Sequence, residues 1–419
     1  MEKFVIEGGR SLKGEIRVSG SKNATLPILA ATLLTDQPCV IRNVPKLRDT
    51  HTMCRLLRAL GKTVEVSGDQ VSVSGSADNH IADYKLVSTM RGSFCVLGPL
   101  LGKLGKAKVS LPGGCIIGVR PVDLHMKGVV ALGAKVEMEG GYVIVRAPKL
   151  KGAQVYLGGV FGSSVLATAN VMMAAVLAQG ETIIESAACE PEVEDLGNFL
   201  SAMGARIHGQ GTPHIVINGV RQLNGAAFKM SSDRIEAGTF LILAAALKSD
   251  ILIKNANYNH LLALVDKLQY VGADVQRVGN DIRVKCRRKL RPASVTTYPH
   301  PGFPTDLQAQ YMALMAITPG VSVITDKVFP DRFMHIAELL RMGAQIRREG
   351  GSAIIEGVKQ LYGAPVMASD LRASAALVIA GLAAKGKTEI YRIYHLDRGY
   401  EGLDQKLTQV GAKVFREKE

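Results

Sequence analysis

One pattern of apolar and polar positions recurs down the chain. An apolar helical tail ends in Gly, a small residue follows, and the next residues alternate in the Val- and Ile-rich manner of a half-buried strand. It reads LLRALGKTVEV, VVALGAKVEM, FLSAMGARIHG, KLQYVGADVQ, LLRMGAQIRR and KLTQVGAKVF. The glycines are Gly61, Gly133, Gly204, Gly272, Gly343 and Gly411, spaced by 72, 71, 68, 71 and 68 residues. Each stands where a helix C-cap needs φ > 0. A second shared piece is a small-residue helix end, a turn and a strand: ALKSDILIKNAN, VLAQGETIIESAA, KLGKAKVSLPGG and AITPGVSVITDKV. Six α/β units of about 70 residues therefore fill the 419. That period is too long for TPR or ankyrin repeats.

The periodicity also predicts a helix after Ser19-Gly20-Ser21-Lys22-Asn23, because Leu26, Leu29, Ala30 and Leu33 share one face. Pro27 then belongs to its first turn, where a missing N–H is tolerated. Lys22 and Asn23 stand at the helix N-terminus, a place that favours anions.

Composition narrows the function. Hydrophobic residues make up 47% and charged residues 21%, enough for a core and against global disorder. Aromatics are only 5% and Trp is absent, so stacking on bases is not the main business of the chain. The formal charge of +14 favours anionic partners, although a general basic bias explains it as simply. Basic residues are scattered without runs or aromatic interleaving, which argues against a nucleic-acid-binding protein. Cys39, Cys54, Cys95, Cys115, Cys189 and Cys286 form no CxxC pair and read as reduced thiols of a cytoplasmic protein. MEKFVIEGG lacks a signal-peptide core, and the longest apolar runs, such as 373–384, are too short to span a membrane.

Candidate chemistry lies in the loops. Leu111-Pro112-Gly113-Gly114-Cys115 is followed closely by Arg120, which reads either as an exposed, activated thiol or as a buried cysteine at a tight turn. Lys22, Arg91, Arg120, Arg332, Arg372 and Arg398 lie on turn-rich segments and suit carboxylate or phosphate. Asp306 in PHPGFPTDLQAQ is a helix cap or a general base. Asp370 and Asp397 also lie near turns. The stretch 158–164, GGVFGSS, resembles a phosphate loop without the Lys of a Walker A motif, and there is no HExxH or GxSxG.

Together, SGSKNATLPILAA, TMRGSFCVLGPL, LPGGCIIGVRPVDLH, HPGFPTDLQAQ, DRFMHIAELLRMGA, MASDLRASAALVIAG and YHLDRGYEGLDQKL resemble the enolpyruvyl transferase family over the whole chain. The likeness is to its UDP-N-acetylglucosamine branch; the 5-enolpyruvylshikimate-3-phosphate synthases share the fold without the PGGC loop or the RPVDLH segment. The resemblance implies an α/β fold, a two-domain inside-out α/β barrel of six βαβαββ-like repeats. One domain would cover 22–230, and the other would join 1–21 to 231–419. It implies transfer of the enolpyruvyl group of phosphoenolpyruvate to the 3′-hydroxyl of UDP-N-acetylglucosamine, with phosphate released, in peptidoglycan synthesis. Cys115 would be the general acid and the target of fosfomycin, and Asp306 the base. Lys22, Asn23, Arg91, Arg120, Arg332, Arg372 and Arg398 would gather around phosphoenolpyruvate, with Lys22 and Arg398 counted among the catalytic groups. Asn23, Arg91, Arg120, Pro121, Val122, Asp123, Leu124, His125, Ser164, Val165, Asp306 and Val328 would hold the UDP-sugar. Asp370 and Asp397 would orient nearby arginines. No metal or organic cofactor, nucleic acid or membrane span is implied, and the oligomeric state stays open. One stretch departs from the family pattern: Gly162 stands at a Lys position and Leu166 at a Gly, so backbone N–H groups of 162–164 would replace side-chain contacts to the diphosphate.

Overall fold

The computed structural model describes residues 2–418 except 112–121. Six four-stranded sheets share one topology. In each, an edge strand runs parallel to its neighbour, and two further strands continue antiparallel. Val295–Thr297 pairs parallel with Gly320–Asp326, for example, and Ser352–Gly357 and Gln345–Glu349 follow antiparallel. The helices Gln308–Ala316 and His335–Arg341 connect these strands, completing a βαβαββ repeat. Sequence alternation dictates which face is buried: Ser352–Gly357 buries Ala353 and Ile355 and leaves Glu356 outside.

Three repeats borrow a strand from elsewhere in the chain. Lys13–Arg17 forms the parallel edge beside Asp250–Lys254, and Ala227–Lys229 does so beside Cys39–Arg42. Glu2–Glu7 lies between Lys387–Tyr391 and Lys413–Lys418. The chain divides into two compact units: one runs from Gly20 to Ser231, and the other joins residues up to Ser19 to those from Ser232 onward. Each has its own continuous apolar core.

The two helices of a repeat differ in composition, and the difference sets their places. The first is apolar all round and sits inside, so that every residue of Arg234–Ala246 and of Gln308–Ala316 is buried. The second is amphipathic: Arg48–Ala59 buries Met53, Cys54, Leu56 and Leu57 and exposes its basic face. The six repeat glycines have φ of 102, 92, 98, 116, 90 and 96°, the left-handed C-cap geometry the pattern predicts. One local expectation fails. The helix Lys22–Ala31 begins where predicted, but Pro27 is its sixth residue and lies in the second turn. Lacking an N–H, Pro27 makes no backbone bond of its own to the preceding turn. The helix shortens into a 3-10 turn at Thr32–Leu34.

Candidate functional site

In the unit from Gly20 to Ser231, the SGSKN sequence builds a tight helix start. Ser21 is the N-cap and accepts from the Ala24 amide at 3.3 Å, while its own amide donates to the Ser231 carbonyl. Gly20 packs so closely on the Asn43 carbonyl that no Cβ fits. Lys22 is thereby placed on the first turn, where its ammonium lies 3.2 Å from the Asp49 carboxylate. Asp49 is buried in the first turn of Arg48–Ala59, and nothing in the motif reading singled it out. Arg91 opens the 3-10 turn Arg91–Val96.

Val122 precedes the helix Asp123–Ala131, and Asp123 and Leu124 sit on its first turn with at least partial exposure. His125 departs from the expected lining role, since its side chain is buried in this unit's core. Asn170 holds it. The Asn170 amide nitrogen lies 3.1 Å from the Phe94 carbonyl and 2.8 Å from His125 Nδ1, and its oxygen accepts from the Gly98 amide. Both amide hydrogens are thus used, so Nδ1 accepts and the ring proton sits on Nε2. Burial, with Arg91 nearby, pushes the imidazole down to about 3 and keeps it neutral.

Residues 158–163 form a small hairpin rather than an open phosphate loop, with Gly158 opposite Ser163 and Gly159 opposite Gly162. Ser164 then caps the helix Val165–Ala175, accepting from the Ala167 amide. Leu124 packs directly over Gly159, so the 122–125 and 158–165 segments, both predicted for the UDP-sugar, meet in one place. A separate cavity of about 830 Å³ in this unit is lined by Lys103, Lys106, Arg146, Lys149 and Arg221 and by none of the predicted site residues. Part of the positive charge resides there, beside the C-terminus of Leu97–Leu104, where cations complement the helix dipole.

In the other unit, the Pro-rich run 299–304 leads into the 3-10 turn Thr305–Leu307. Asp306 does not cap the helix that follows. Its carboxylate instead accepts from Arg332 Nη1 at 2.7 Å on one oxygen and from Arg372 Nη2 at 3.0 Å on the other. Both arginines are buried, with side chains 5% and 2% exposed against 26% for Asp306. Burial opposes the charge of Arg372, but Asp306, Tyr400 and Asp233 together outweigh it and hold the guanidinium above its ordinary value; for Arg332, Asp306 and Asp370 together do the same. Two cations thus share one carboxylate, and the excess positive charge suits an incoming anion. Tyr400, unremarked in the sequence, is buried with its hydroxyl accepting from Arg372 Nη1 and Gln310 Nε2, both at 3.2 Å, and 2.9 Å from Thr239 Oγ1.

Asp370 and Asp397, the two expected charge partners, each face an arginine, and Asp370 is also a helix cap. Asp370 caps the helix Leu371–Ala383 through the amides of Arg372 and Ala373 and reaches Arg332 only through space. Asp397 makes a two-point ion pair with Arg416, 2.8 and 3.1 Å, because the strand Lys413–Lys418 brings Arg416 to the turn Ile393–Arg398. Arg398 ends that turn. Val328 donates its amide to Asp326, a buried carboxylate the motif reading also passed over.

Cys115, Arg120 and Pro121 lie outside the described residues. Burial raises the other five thiols, Cys39, Cys54, Cys95, Cys189 and Cys286, which makes each a poor nucleophile. Among the described residues no group of three or more His, Cys, Asp or Glu side chains is placed to hold a metal ion, and no helix is long and apolar enough to cross a membrane.

Comparison with known proteins gives a consistent result. The sequence profile of the family EPSP synthase (3-phosphoshikimate 1-carboxyvinyltransferase) matches residues 6–407. The chain is 54% identical over 419 residues to a protein of Carboxydothermus hydrogenoformans named UDP-N-acetylglucosamine 1-carboxyvinyltransferase 2, covering 99% of both chains. It is 50% identical over 416 residues to the UDP-N-acetylglucosamine 1-carboxyvinyltransferase of Methylacidiphilum infernorum, again covering 99% of both. Among solved structures, the enolpyruvyl transferase NikO from Streptomyces tendae superposes with a TM-score of 0.89 at 24% identity, covering 99% of this chain and 98% of its own. The EPSP synthase of Acinetobacter baumannii superposes with a TM-score of 0.76 at 20% identity, covering 100% of both chains. These two likenesses concern the fold alone.

Proposed function

The chain belongs to the family of enolpyruvyl transferases, and from that membership we propose that it moves the enolpyruvyl group of phosphoenolpyruvate onto the 3′-hydroxyl of UDP-N-acetylglucosamine. This is the activity named for relatives that match the whole chain at about half identity; it commits the sugar to peptidoglycan synthesis. The single observation within the molecule that carries the reading is the pair of buried guanidiniums on Asp306. It supplies charge for a phosphate or carboxylate and, at the same point, a partly exposed oxygen base.

The reaction is an addition followed by an elimination. The sugar oxygen bonds to C2 of phosphoenolpyruvate as its proton leaves to Asp306 and C3 gains one from Cys115. C3 then loses a proton as the C2–O bond to phosphate breaks, restoring the alkene and releasing phosphate. Lys22, Arg91, Arg120, Arg332, Arg372 and Arg398 bind the phosphate and carboxylate, and they offset the charge that moves. Asn23, Val122, Asp123, Leu124, Ser164, Val165 and Val328 bind the UDP-sugar, with His125 acting from beneath as a packing residue. The five raised thiols leave Cys115 as the one cysteine suited to acid or nucleophile chemistry. Free thiols at all five described cysteines fit a reducing compartment, and we place the reaction in the cytoplasm.

Phosphate release that requires both phosphoenolpyruvate and UDP-N-acetylglucosamine tests the proposal. Turnover with shikimate 3-phosphate in place of the UDP-sugar would move the chain to the sister activity. Fosfomycin should add its whole mass to the Cys115 peptide by opening its epoxide. C115D should keep turnover and escape the drug, since a carboxylic acid still donates a proton.

A further inference from the structure

We propose that Asp326 is a positioning residue for this reaction, acting through the Thr305 hydroxyl on Arg332 and Asp306; the inference rests on the functional reading above. Asp326 ends the strand Gly320–Asp326 and is 1% exposed. Burying a carboxylate is costly unless its lone pairs are used. Here Oδ1 accepts from Thr297 Oγ1 at 2.7 Å and from the amides of Val328 and Phe329 at 3.0 and 2.7 Å. Those contacts shape the turn that carries Val328. Oδ2 accepts from Thr305 Oγ1 at 2.7 Å.

That fourth contact is what a turn alone does not need. A hydroxyl has one hydrogen. Once Thr305 gives it to Asp326, only oxygen lone pairs remain to face Arg332, whose Nη1 donates to Thr305 Oγ1 at 3.3 Å. The same Nη1 donates to Asp306 Oδ1 at 2.7 Å. The donor order is therefore one-way: Thr305 to Asp326, and Arg332 to both Thr305 and Asp306. An amide at 326 would present a donor on one side and break that order. One buried carboxylate thus ties together the loop of the proposed base and the loop of Val328, which follow the C-terminal ends of two neighbouring parallel strands. The charge at 326 explains both the register of Thr305 and the aim of Arg332.

The test is a double-mutant cycle on the full chain in the two-substrate phosphate-release assay. D326N should lower kcat by about 10–100-fold and T305V by about 10-fold, the range of one hydrogen bond to a charged group, with KM for phosphoenolpyruvate within about threefold. In the T305V background D326N should cost less than about threefold more, because the relay is already cut. T305S should restore most of what T305V loses. If D326N lowers kcat by the same factor in both backgrounds, Asp326 shapes only its own turn and the proposal is overturned. If D326N does not fold, T305V against T305S decides, and equal rates for those two overturn it. A wild-type chain that releases no phosphate removes the functional reading and this inference together. An active wild type with a fully active T305V removes this inference alone.

Discussion

The two units solve one electrostatic problem in opposite ways. In one, the buried partner is the acid: Asp49 is 4% exposed and Lys22, at 15%, is the more open end of the pair. In the other, the cations are buried and the carboxylate of Asp306 is the open end. A lysine is a compact charge on a flexible stem, and one acid beneath it suffices to aim it. Two guanidiniums are planar forks that stay charged when buried, and a shared carboxylate fixes both planes at once. The same repeat therefore yields a cation held from below in one unit and a carboxylate clasped from both sides in the other.

The largest effect is expected at Asp306. D306A should lower turnover by about 10²–10⁴-fold, the usual worth of a positioned acid or base. It should also cost about 3 kcal/mol in urea unfolding, because two buried cations lose their partner. Unchanged stability would mean that water repairs the gap and that the arginines are less enclosed than their burial indicates. D49N should be milder, lowering turnover about 10–100-fold through a loosely aimed Lys22, with little loss of stability because an amide still fills the site. If D49N matched D306A in both measurements, the contrast between the two arrangements would vanish.

Acid should distinguish the units next. His125 in one unit and His335 in the other are both pushed down by burial, to about 3 and about 4. Their folded values lie below the unfolded value near 6.5, so stability present above pH 6.5 is lost as pH falls towards those values. At pH 5 His125 alone should account for about 2 kcal/mol of the loss relative to pH 7. H125Q should remove that part, read from urea midpoints at the two pH values; an equal loss in H125Q would assign it elsewhere. The smallest effect belongs to Y400F, which takes a hydroxyl from Arg372 and Gln310 and should cost about 1 kcal/mol of stability and a few-fold in turnover.

Much of the fold was legible because its determinants are local. The six glycines mark C-caps that need only their own φ, and the alternating strands after them need only one apolar face. The start at Lys22 was legible because Ser21 is a cap residue. Pro27 was misjudged, since tolerance of a second-turn proline depends on packing around the helix. The borrowed strands Lys13–Arg17, Ala227–Lys229 and Glu2–Glu7 were beyond local reading, as pairing partners hundreds of residues away leave no periodic trace. At the site, the charged residues in motifs stood out, and their supports did not. Asp49, Asn170 and Asp326 lie outside the quoted family motifs, and Tyr400 sits inside one as an uncharged residue that drew no notice; an acid ending an apolar strand was the faint signal for Asp326.

By itself the sequence determined the repeat, the helix ends, the excess of positive charge and the set of reactive side-chain types, since each follows from residue chemistry over a few positions. Tertiary structure decided how those charges are partnered. It sent Asp397 to Arg416, made a cap of Asp370 and a buried neutral ring of His125, and joined Asp306 to Arg332 and Arg372. The physical reason is distance: Coulomb and hydrogen-bond energies depend on separations of a few ångströms, and only the folded chain sets these between residues far apart in sequence.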